Sequence, residues 1–172
     1  AEPDKVAATY QEALQYPSLN VRGMASASVG SKASNIVPSE AIAELDFRTT
    51  PEADGQHLQD LVQAHIEKQG YHISNGPPSD AERAQYPRIA SFVRGPVQRS
   101  VRTAFDAPLS RWAVDALRAP YVTPGLEPVR IRMMGGTLPT DVLVDALKLP
   151  FVMVSTVNSD NNQHTHDENL RM

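Results

Sequence analysis

The 172-residue sequence contains no cysteine. That excludes disulfides, a thiolate nucleophile and a cysteine-ligated zinc, so any metal would have to sit on histidine and carboxylate ligands. Long apolar runs are also missing, and nothing approaches the roughly 20 residues that a membrane helix needs. The first residues lack the charged-then-apolar pattern of a secretion signal, which leaves the compartment open if a signal is removed before residue 1. Basic residues never form a run dense enough to neutralise a row of phosphates, and the net charge is -4. Nucleic acid is therefore not an expected partner. Aromatic residues are sparse, and the single tryptophan, Trp112, is expected in a core. Against these absences stands a hydrophobic content of 41%, enough for one sizeable core or two small ones in a soluble globular protein.

Apolar periodicity then orders the chain. Residues 3–15 put Val6, Ala7, Tyr10, Ala13 and Leu14 on one helical face. Residues 20–27 and 40–49 read as strands, the second with Ala41, Ala43, Leu45 and Phe47 on one face and Glu44, Asp46 and Arg48 on the other. Over 54–68, Leu58, Leu61, Val62 and Ile66 follow helical spacing, and Gly70 sits where a left-handed cap would end the helix. A short strand at 71–74 completes strand, strand, helix, strand, most of a two-layer α+β sandwich of the ferredoxin-like type.

Residues 75–88 are crowded with Gly, Pro, Asp, Ser and Arg and read as a long surface loop. Leu109, Trp112, Ala113, Ala116 and Leu117 define a further amphipathic helix. Strands are expected at 129–134 and 151–154, with a helix at 139–147 between them, the pattern of a parallel βαβ unit buried on both faces. The expected class is α/β: an α+β portion followed by a partial parallel portion, with the change of architecture near residue 100.

The densest polar cluster, 158–169, follows the last expected strand, where open α/β sheets bind ligands. Its His164, His166, Asp160 and Asp167 could ligate a metal, yet His-x-His is a weak signal and a solvated polar loop accounts for it equally well. Gly135-Gly136-Thr137-Leu138-Pro139 joins a strand to a helix, so its backbone amides could face a carboxylate, or it is simply a tight turn before a proline-started helix. Asn35 reads as a turn residue and Arg48 as a surface charge. His57, His65 and His72 read as surface or partly packed residues. Arg130 and Arg132 alternate with Val129 and Ile131, and one of them could point at a carboxylate pocket.

Taken in order, Asn35-Ile-Val-Pro, Asp46-Phe-Arg48, Gly135-Gly136-Thr-Leu-Pro139 and His164-x-x-Asp-Glu168 resemble the zinc metallopeptidase family of aminoacylase, carboxypeptidase G, carnosinase and succinyl-diaminopimelate desuccinylase, peptidase family M twenty. The order and spacing are more specific than any one piece. The resemblance implies a lid or dimerisation domain over 1–92 and the C-terminal portion of a catalytic domain over 93–172. It implies that His164 corresponds to a zinc ligand, that Asn35 and Arg48 contact substrate, and that Gly135, Gly136 and Thr137 bind the substrate's carboxylate end. It further implies a peptide or N-acyl amino acid substrate, hydrolysis of its amide bond, and a homodimer formed through the lid. The family's His-x-Asp ligands, its Glu-Glu pair with the general base and its lid histidine have no counterpart here. Tight zinc binding and hydrolysis by this chain alone are therefore not expected, and its uncovered apolar faces should make it self-associate. The alternative is a non-catalytic dimerisation or binding module that keeps the lid architecture.

Overall fold

A computed structural model describes residues 6–118, 125, 127–136 and 138–170. The chain divides into two compact units, Ala1–Val101 with Met133–Val142 and Arg102–Arg132 with Leu143–Met172. Helices and small sheets are mixed, as the α/β reading expects.

Of the helix expected at 3–15, residues 3–5 lie outside the described residues, and the rest of the first unit's opening segment narrows to α1, Tyr10–Ala13, with Thr9 as its cap accepting from the Glu12 amide at 3.2 Å. Four residues cannot repay helix nucleation without an apolar surface to pack on, and none of the four is buried. Strands β1 (Ser18–Ser26) and β2 (Ala41–Arg48) then pair antiparallel, with one turn of 3-10 helix, Gly30–Lys32, in the connection. Val21 lies opposite Leu45 and Gly23 opposite Glu44, so Arg22 is the extra residue of a β-bulge. The bulge shifts the face parity by one. Leu19 and Val21 precede it and Met24 follows it, yet their partners Phe47, Leu45 and Ala43 all share one face of β2. Arg22 itself reaches Glu44, at 3.1 Å, on the polar face. This apolar face is largely open: Leu19, Val21 and Met24 are 49%, 58% and 81% exposed.

Helix α2, Gly55–Lys68, is capped by Asp54, whose Oδ1 accepts from the Gln56 and His57 amides, and Gly70 takes the left-handed φ of 87° just past its end. A segment at 94–97 straps across it. Arg94 binds Asp60 at 2.5 Å and Gln63 at 2.8 Å, the Gln59 amide donates to the Gly95 carbonyl, and Val97 sits against Gly55. Residues 55, 59 and 63, four apart, make one stripe of the helix.

The expected loop at 75–88 is in part a helix. Between β3 (His72–Ser74) and β4 (Ile89–Ser91), which pair in parallel, lies α3, Asp80–Gln85. Its start is fixed by a reciprocal capping box in which the Glu82 amide donates to Ser79 Oγ and the Ser79 amide donates to Glu82 Oε2. Two parallel strands with a helix between them form a short βαβ unit here, before residue 100.

The second unit holds α4, Pro108–Leu117, with proline in its first turn and Ala113 and Ser110 buried. Trp112, expected in a core, is 67% exposed. It lies on the wall of an open groove of about 510 Å³ between α4 and 150–154, whose apolar lining includes Leu109, Ala116, Phe151 and Val154. Residues 151–154 form no strand, and neither do 129–134. An apolar β-branched run becomes a strand only when another strand lies at ladder spacing, and among the described residues neither run has one. Residues 151–154 are tied instead through a side chain: Thr103 Oγ1 donates to the Phe151 carbonyl at 2.5 Å and accepts from the Phe151 amide at 3.2 Å. Helix α5, Thr140–Leu147, forms close to its expected position. Among the described residues no helix is long and apolar enough to cross a membrane.

Candidate functional site

Asn35 lies exposed in the connection between β1 and β2, past the 3-10 turn. Arg48 ends β2, opposite Ser18, with its Nε donating to Asp46 Oδ2 at 2.6 Å. Asn35 precedes and Arg48 closes β2, an eight-residue strand that runs roughly 23 Å from first residue to last at strand rise. The Asp46–Arg48 pair follows from the period of two, which sends residues two apart to the same face. Its side chains are 27% and 40% exposed.

Gly135 and Gly136 fall in the same unit, exposed, and a Cβ built on either meets nothing within 4 Å. Their backbone is open to approach. Thr137 lies outside the described residues. The segment after them is tied down by Gln98, whose amide donates to the Leu138 carbonyl at 3.0 Å and to Asp141 Oδ1 at 2.9 Å. That Gln98 hydrogen bond holds the Asp141 carboxyl below its ordinary value.

His164 falls in the second unit, exposed, with a left-handed φ of 65°. Around it, 158–169 forms a closed loop in which the Asn169 amide donates to the Asn161 carbonyl at 2.9 Å and Asn161 is buried. His164, His166, Asp160 and Asp167 do not converge: among the described residues no three His, Asp or Glu side chains come together to hold a metal ion. Donors in a loop whose backbone turns left-handed at Asn162, His164 and Asp167 do not share one face as alternation along a strand would provide. The described residues thus do not fit a complete metal centre.

The remaining candidates lie away from these segments or pack on neighbouring rings. Arg130 and Arg132 both stand over the Phe105 ring, at 5.1 and 5.0 Å. His57 and His65 are exposed on α2. His72 stacks on Tyr86 with ring centroids 3.7 Å apart and stands 3.8 Å from Glu82. The Ser79 hydroxyl and then the Ser79 amide, with a smaller contribution from His72, hold the Glu82 carboxyl below its ordinary value. Sequence reasoning missed the capping box and the asparagines of 158–169. The first carries a readable signal in Ser79-x-x-Glu82; the second carries none beyond an abundance of turn residues.

Comparison with known proteins bears on both units. Residues 3–74 match the family described as peptidase dimerisation domain. The chain is 25% identical over 157 residues to a Cys-Gly metallodipeptidase of Saccharomyces cerevisiae, covering 91% of this chain and 30% of that protein. A Cys-Gly metallodipeptidase of Schizosaccharomyces pombe is 32% identical over 60 residues, 35% of this chain and 13% of the relative. The chain spans less than a third of the length of either. No solved structure matches it. Residues 3–74 thus match a peptidase dimerisation domain, and over most of its length the chain is similar to a metallodipeptidase.

Proposed function

We propose that the chain is a portion of a zinc-dependent exopeptidase or amidohydrolase that cleaves amide bonds of peptides or N-acyl amino acids, comprising a lid over 1–92 and part of the catalytic domain over 93–172. The observation that carries this reading is the dimerisation-domain match at 3–74 within a similarity to a metallodipeptidase that extends over 91% of the chain. Asn35 and Arg48 would contact substrate from the lid, the guanidinium fork suiting a carboxylate. Gly135, Gly136 and Thr137 would receive the substrate's carboxylate end, a role supported by the open backbone at the two glycines. His164 would contribute one metal ligand, the others and the general base coming from parts of the whole protein that these 172 residues do not include. On its own the chain would then be inactive.

The dimer is read as a homodimer formed through the lid, supported by the family match and by the uncovered apolar side of the β1–β2 hairpin. A non-catalytic dimerisation or binding module is the second reading, favoured by the lack of a converging ligand set among the described residues. Sedimentation equilibrium over a range of concentrations tests the shared part of both readings. A reversible monomer–dimer equilibrium is expected. A strictly monomeric chain at all concentrations would contradict it.

A further inference from the structure

We propose that Asn75–Gly76, in the turn from β3 to α3, is a site of spontaneous deamidation that converts residue 75 to aspartate and isoaspartate and thereby alters the entry to α3.

The chemistry needs only the chain and water. The Gly76 backbone nitrogen, its proton passing to solvent, attacks Asn75 Cγ and forms the new N–Cγ bond of a five-membered imide, while the side-chain nitrogen leaves as ammonia. Water then opens the ring at one of its two carbonyls. Breaking the new bond gives aspartate; breaking the original peptide bond gives isoaspartate, in which the main chain runs through the former side chain and is one methylene longer. Nothing is oxidised or reduced. The attack requires a side chain free to swing, a backbone nitrogen not held in a hydrogen bond, and no Cβ on the following residue to crowd the approach.

Asn75–Gly76 meets all three conditions. Of the chain's asparagines only Asn75 is followed by glycine. Asn75 is exposed just past the end of β3, and among the described residues neither its side chain nor the Gly76 amide makes a hydrogen bond. A Cβ built on Gly76 meets nothing within 4 Å, and its φ of 92° is a conformation that suits glycine. The turn is held from the carbonyl side instead: the buried Ser74 hydroxyl donates to the Gly76 carbonyl at 2.7 Å, which leaves the nitrogen open. Asp54–Gly55 has the related pair in the opposite setting, because Asp54 Oδ1 is engaged by the Gln56 and His57 amides and Gly55 is buried.

The Ser74–Gly76 bond spans residue 75, so a main chain lengthened there no longer fits it. Helix α3 begins four residues after Gly76 and has no buried residue to hold it independently of its entry and its cap. Its turn bonds, from the Arg83 amide to the Ser79 carbonyl and from the Tyr86 amide to the Glu82 carbonyl, report whether it stays in place.

The test ages the purified 172-residue chain at mildly alkaline pH, once folded and once unfolded in urea, and follows each asparagine by peptide mass spectrometry with aspartate and isoaspartate resolved. The converted fraction, separable by its added negative charge, is then compared with the starting chain by amide exchange. Conversion is expected first at Asn75, at comparable rates folded and unfolded, and Asn75→Gln should abolish it. In the isoaspartate fraction the Arg83 and Tyr86 amides should exchange roughly fivefold faster or more, the scale of one net hydrogen bond, with α2 protection unchanged. Conversion in urea but not in the folded chain would overturn the proposal, because the fold would then protect the site. So would another asparagine converting first, no conversion in either state, or isoaspartate at 75 with unchanged exchange at 83 and 86.

Discussion

A Cβ placed on Gly55 would lie 2.6 Å from Val97 Cγ1 and 3.3 Å from its Cγ2. The strap at 94–97 can lie this close to α2 only because residue 55 has no side chain. Gly55→Ala should destabilise the first unit by about 1–3 kcal/mol, the usual cost of overpacking a stiff β-branched neighbour. Urea denaturation checks it. Combining the change with Val97→Ala should recover most of the loss, because the two residues share one clash.

The capping box makes α3 sensitive to acid. Glu82 is held below its ordinary value of 4.5, chiefly by the Ser79 hydroxyl and then the Ser79 amide. A carboxyl with a lowered folded pKa adds stability that is fully present above its unfolded value and disappears as pH falls through the folded one. Protection of α3 should therefore be constant above about pH 5 and decline below 4.5. Ser79→Ala should move the Glu82 carboxyl titration, followed by NMR, back toward its ordinary value, and His72→Ala should move it less.

Thr103 stands in for a strand partner by both donating to and accepting from Phe151. The isosteric Thr103→Val removes both bonds and leaves the Phe151 amide and carbonyl, on a partly buried residue, without that partner. A loss of about 1–3 kcal/mol is expected in the second unit, with Thr103→Ser retaining most of the stability. Thermal unfolding followed through Trp112 fluorescence reads it out.

Self-association should depend on the apolar face that the Arg22 bulge assembles. Val21→Glu with Met24→Glu places two like charges on that face and should weaken dimerisation by an order of magnitude or more in sedimentation equilibrium. The same charges should leave the hairpin's circular dichroism in place, because both residues are already exposed.

The elements legible in the sequence were those whose signal is local. The alternation in β2, the spacing of Leu58, Val62 and Ile66 in α2 and the stop at Gly70 each reflect one chain segment obeying its own geometry. Helix α3 escaped because its segment, Asp-Ala-Glu-Arg-Ala-Gln, has no apolar stripe, and only the capping box marks its start. The strands expected at 129–134 and 151–154 failed for the opposite reason: their residues suit a sheet, but a ladder needs a second strand that composition cannot supply. Residue type alone puts Trp112 inside, whereas burial requires a covering layer, and Trp112 is exposed. At the candidate site the residues were readable one by one, as Asn35, Arg48, Gly135, Gly136 and His164. The hydrogen bonds of Asn169 to Asn158 and Asp160 are not, because each spans residues whose proximity depends on the folded loop.

The measurement that bears most directly on the central claim is metal content and amide hydrolysis of the purified chain, assayed on a panel of dipeptides and N-acyl amino acids beside the full-length Cys-Gly metallodipeptidase of Saccharomyces cerevisiae. The account predicts that the relative binds metal and cleaves its dipeptide, while this chain holds no stoichiometric metal and cleaves nothing on the panel. Stoichiometric metal together with turnover by the 172-residue chain would contradict it, because its own residues would then complete the centre.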